Sequence, residues 1–156
     1  APLHYLNVSP FSTIFQLPSE MDYISTVNAL QQDLFRNYRA PLAPLHGRGS
    51  SNYSFIEKFF MIITYAKLTT VNERSMTFSI ILAPLLMWTD PRLAWNPPQY
   101  DDIGHLYLTL DQIWYPNFHA CSSSGMTYLT TPNNHVAKVL SDGSVSTRLQ
   151  VEATFS

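Results

Sequence analysis

Residues 88–118, WTDPRLAWNPPQYDDIGHLYLTLDQIWYPNF, constrain the fold more than any other stretch of the chain. Trp88 and Trp95 bracket Asp90-Pro91-Arg92. Trp95 runs directly into Asn96-Pro97-Pro98, and Trp114 into Tyr115-Pro116-Asn117. A residue that precedes proline is driven towards extended or polyproline backbone, which puts Asp90, Asn96, Pro97 and Tyr115 in turns or extended segments. Large aromatic side chains beside such fixed turns are the means by which an all-β chain pins its loops to its core. Between the two corners, His105-Leu-Tyr-Leu-Thr-Leu110 alternates with period two, the mark of a half-buried strand.

The rest of the chain agrees with a single β-rich domain over residues 1–156. Residues 1–18 are aperiodic and read as an N-terminal arm. Ser19-x-x-Asp22 resembles a capping box, and Ile24, Val27, Leu30 or Gln31, Leu34 and Tyr38 recur at helical spacing, so a helix is expected over residues 19–38, stopped by Pro41. The sandwich is expected over residues 55–156, after a Pro- and Gly-containing loop. Phe55 to Thr70 forms a first strand whose paired apolar positions predict cover on both faces, one by the core and one by a neighbour. Met76 to Trp88 returns as a second strand, in which Pro84 marks an edge or a bulge. Ala120 to Gly125 reads as a small-residue loop, and Thr127–Thr131, Val136–Leu140 and Ser144–Ala153 as strands. Ser141-Asp-Gly143 predicts a hairpin. The sum is an antiparallel, immunoglobulin-like β-sandwich with one N-terminal helix.

Composition narrows the function. Of 156 residues, 46% are hydrophobic and only 13% charged, against about 25% charged in an average domain. A surface this poor in charge favours burial against other subunits, although a glycosylated secreted protein looks similar. A net charge of −2 gives no support for nucleic-acid or anionic-membrane partners. No apolar run approaches the ~20 residues of a membrane helix. The lone cysteine, Cys121, excludes an intrachain disulfide. Asn7-Val-Ser and Asn52-Tyr-Ser fit the N-glycosylation pattern, which also arises by chance. Asp101, Asp102 and His105 are three candidate metal ligands on one turn, and three on a turn is weak evidence for a metal. With no phosphate loop, no nucleophile elbow and no HExxH, neither an enzyme nor a cofactor is expected.

The two corners carry a family resemblance. WTDPRLAWNPPQY follows the pattern W-x-D-x-x-L-x-W-x-P-x-x-Y, with Trp88, Asp90, Leu93, Trp95 and Pro97 in place. IWYPN follows I-W-x-P-D, with Trp114 and Pro116 in place and Asn117 at the acidic position. On these residues the chain resembles the extracellular ligand-binding domain of the pentameric Cys-loop receptors, a family that includes nicotinic receptor subunits and the soluble acetylcholine-binding proteins. The resemblance runs from about Asp22 to Ser156 and covers the N-terminal two-thirds of the family domain, stopping where a cysteine-bounded loop would begin. A truncated chain, a shortened homologue and a remainder on another polypeptide all accommodate this.

The resemblance implies secretion, identical or homologous subunits in a pentamer, and a small cationic amine held between subunits in a box of aromatics by cation–π attraction. It also implies where the box would lie. One main-face aromatic falls at Cys121, whose thiol has no π face. A complementary-face tryptophan falls at Ala83. Tyr115, Asn117, Phe118, Tyr128 and Leu140 complete the set of candidate ligand positions, with Leu129, His135 and Val139 as further complementary-face candidates. The losses at Cys121 and Ala83 predict weak binding of a quaternary ammonium. A modulatory subunit that assembles without binding an amine is the alternative.

Overall fold

A computed structural model describes residues 18–46, 54–55 and 59–156. The sequons at Asn7 and Asn52 and most of the N-terminal arm lie outside the described residues. The elements are α1 (Pro18–Phe35), β1 (Leu45–His46), β2 (Ser54–Phe55), β3 (Phe60–Asn72), β4 (Thr77–Thr89), β5 (His105–Thr109), β6 (Ser123–Tyr128), β7 (Val136–Leu140), β8 (Ser144–Arg148) and β9 (Val151–Phe155). The chain is thus mostly antiparallel β with one N-terminal helix, consistent with the β-sandwich class.

Helix α1 packs through Leu30, which is fully buried against Ile103 and Leu106, with Val27 and Leu34 alongside on the same helical face. It ends at Phe35 rather than at Tyr38. The Tyr38 amide bonds back to the Phe35 carbonyl at 3.3 Å, and the Tyr38 side chain leaves the helix for the first corner.

Strand β4 is the spine of the sheet. Its C-terminal half pairs with β8, its N-terminal half with β9, and its other edge with β3. The order is β5-β7-β8-β4-β9-β6, with β3 attached to β4. The single strand expected over Ser144–Ala153 is therefore two. The break comes at Leu149, which is buried and donates its amide to the carbonyl of Pro84 at 2.9 Å. Pro84 has no N–H to give to a ladder, and the β3–β4 register shifts between Ile63 and Tyr65 beside it. Half of the expected 120–125 loop is strand as well, since β6 begins at Ser123 after a turn in which Ser122 has φ 64°.

The core lies on one face of this sheet. Leu86 and Trp88 of β4, Leu108 of β5, Val139 of β7 and Val145 of β8 point to it, and Leu93, Leu110 and Ile113 cover it from the corners. Strands β5 and β7 alternate exposed and buried as the period-two pattern requires. Strand β3 departs from expectation: it is exposed along its whole length rather than covered on both faces. Among the described residues its only strand neighbour is β4, and none of them covers its paired apolar positions.

Candidate ligand-binding face

The first corner is built around a buried ion pair. Asp90 is fully buried, and Arg92 donates to its carboxylate through Nε at 2.8 Å and Nη2 at 2.7 Å. Tyr38 donates its hydroxyl to Asp90 Oδ2 at 2.9 Å and accepts the Trp114 amide at 2.8 Å, so one phenol joins the helix end to both corners. The Arg92 guanidinium also lies over the Tyr38 ring, 4.4 Å from its centroid. Burial, ahead of every other cause, raises the Tyr38 hydroxyl far above the ordinary tyrosine range, and the hydrogen bonds to Asp90 raise Arg92 further.

The corner is stapled to the β7–β8 hairpin. The Asp90 amide donates to the Gly143 carbonyl at 2.8 Å, and the Trp95 amide to Ser141 at 2.9 Å. Gly143 has φ 83°, and a Cβ there would meet the Asp90 carbonyl oxygen at 2.6 Å, so only glycine fits this turn. Trp95 fixes its own loop by donating Nε1–H to the Ile103 carbonyl at 2.7 Å. Trp88 packs edge-on against Trp114, 6.3 Å between centroids, and its buried Nε1–H finds no acceptor among the described residues.

Four of the expected ligand positions gather at the second corner. Phe118 meets Tyr128 edge-on, and Tyr128 donates its hydroxyl to Asn117 Oδ1 at 3.3 Å. Tyr115 packs on the core beside them. Burial, then the neighbouring Tyr115, raises the Tyr128 hydroxyl. Cys121 is exposed on the turn before β6. Ala83 and Leu140 lie elsewhere in the sheet. Ala83 is buried within β4 opposite Tyr65, so it offers almost no accessible surface. Leu140 is 39% exposed. Of the further candidates, Val139 is a core residue, Leu129 is exposed, and His135 is tied to Thr130. Asp101 accepts from Thr26 and His105 stacks edge-on against Tyr107. Among the described residues no three His, Cys, Asp or Glu side chains converge on a metal position.

Leu140 leads to a surface that was not anticipated. The face of the sheet turned away from the core carries a row of residues paired across five strands: Tyr107 opposite Lys138, Lys138 opposite Ser146, Ser146 opposite Met87, and Met87 opposite Phe60. A cavity of about 410 Å³ opens along it, walled by Phe60, Met87, Lys138, Leu140, Ser144 and Ser146 among others. That volume falls in the range of small-molecule sites. The outward phase of the β5 and β7 alternation was the available signal. The pairing that lines the five strands up was not readable from any one of them.

The comparisons with known proteins agree with this architecture. Residues 27–156 match the family model described as neurotransmitter-gated ion-channel ligand binding domain. The chain is 32% identical over 116 residues to acetylcholine receptor subunit gamma of Gallus gallus, covering 74% of this chain and 21% of that protein. It is 30% identical over 100 residues to acetylcholine receptor subunit beta-type unc-29 of Caenorhabditis elegans, covering 60% and 20% respectively. The chain thus spans about a fifth of the length of these relatives. Among the described residues no helix is long and apolar enough to cross a membrane. With its corners, its sheet and the second half of its helix inside the matched region, the chain belongs to the neurotransmitter-gated ion-channel ligand-binding domain family.

Proposed function

We propose that the chain is an extracellular recognition module, acting as one unit over residues 1–156. It stands beside identical or homologous subunits, five to a ring by the family resemblance, and presents the outward face of β4, β5, β7 and β8 as one half of an interfacial small-molecule site. One observation carries this reading: the five-strand row and its cavity lie on the face that the core leaves unused, and include Leu140, a position the resemblance assigns to the complementary side. The charge-poor composition supports burial of such a face against a neighbour. Secretion as a free protein, as in the acetylcholine-binding proteins, is part of the same proposal.

A modulatory subunit is the second reading, and two residues favour it. Ala83 is buried and Cys121 sits on an exposed turn, where the resemblance places aromatic cage residues. Assembly is common to both readings. Sedimentation of the 156-residue chain at micromolar concentration should give a mass near a multiple of its 17.8 kDa. A single-chain mass would contradict both.

A further inference from the structure

The resemblance implies a cation as ligand, but the charges on the outward face point the other way. On the four paired segments 85–89, 105–109, 136–140 and 144–148, the positions turned away from the core carry Lys138, Arg148 and His105 and no carboxylate. Two described acids outside these segments are hydrogen-bonded within the fold. Asp142, in the β7–β8 turn, accepts the Ser144 amide at 2.8 Å. Glu152, on β9, accepts from Thr69 at 3.2 Å. The chain as a whole is acidic, at −2, so this local excess of positive charge does not follow from composition.

We infer that this face takes a carboxylate-bearing small molecule with an apolar body, not an organic ammonium. The inference deepens the function proposed above and rests on the outward face being the ligand face. Lys138 sits mid-row between Tyr107 and Ser146, and Thr89 and Ser144, paired across β4 and β8, add hydroxyl donors. An ammonium and hydroxyls can together satisfy both oxygens of a carboxylate through charge-assisted hydrogen bonds. Phe60, Met87 and Leu140 form the apolar part of the wall, suited to an alkyl or aromatic body. A quaternary ammonium would meet Lys138 as a like charge, with no acid among the described residues of the cavity wall to offset it.

Calorimetric titration of the natural protein with 4-phenylbutyrate, its neutral amide and phenethylammonium tests this. The carboxylate should bind, the amide at least about tenfold more weakly, and the ammonium not measurably. Lys138→Gln, at an exposed position that leaves the core intact, should reduce carboxylate affinity about tenfold and flatten its dependence on salt. Tighter binding of the ammonium would overturn the inference, as would carboxylate binding that Lys138→Gln leaves unchanged, or no carboxylate binding at millimolar concentration. The assembly mass is measured separately, so loss of the ligand class and loss of the interface are distinguishable.

Discussion

Tyr38 is the residue on which the two corners meet. Its hydroxyl donates to buried Asp90 and accepts the Trp114 amide. Tyr38→Phe keeps the ring against Arg92 and Phe35 but removes one donor from the Asp90 carboxylate and leaves the Trp114 amide without its acceptor, and should destabilise by about 1–2 kcal/mol at neutral pH. The pH dependence has a definite sign. Folding raises the Tyr38 value above that of an unfolded tyrosine, about 10, so its contribution is complete below about pH 10 and is lost as pH rises towards the folded-state value. Other raised tyrosines, such as Tyr128, are common to both proteins, and the difference between them isolates Tyr38. Urea unfolding should show the parent chain losing more stability than Tyr38→Phe between about pH 9 and about pH 11. Equal losses would show that the phenol ionises freely in the folded chain.

At the scale of elements, the corners and the alternating strands were legible because their signals are local. Asp90-Pro91-Arg92 and Ser141-Asp-Gly143 fold where their backbone preferences put them, and β5 and β7 follow their hydrophobic alternation. What local pattern could not show was the division of β8 from β9. Nothing in SVSTRLQVEAT marks a break, and it comes with a hydrogen bond from Leu149 to Pro84, 65 residues earlier in the chain. Likewise the burial of Ala83 and the emergence of Lys138 as the centre of a row depend on pairing between strands. Strand β3 also shows the limit of pattern reading, since its apolar pairs imply cover that none of the described residues provides. Met61, Ile62 and Ile63 are each close to half exposed on an edge of the kind that invites pairing with other chains. Ile62→Lys should raise the concentration at which the chain aggregates, while changing unfolding stability by less than about 0.5 kcal/mol. A larger loss of stability would show that β3 packs against something in solution.

For the whole molecule, the sheet has a used face and an unused one. Corners, tryptophans and the buried ion pair close the first. The second carries an apolar and cationic row across five strands, and the proposed function assigns it to a neighbouring subunit and a ligand. Leu140 sits at the rim of that row and outside the core, so a charge placed there challenges the interface without emptying the interior. Mass photometry of the parent chain beside Leu140→Glu, both checked for unchanged thermal unfolding, addresses the central claim most directly. The expected result is an oligomer of the parent 17.8 kDa chain and a shift of the variant towards the single-chain mass. An oligomer of unchanged mass in the variant would contradict the assignment of this face to the subunit interface.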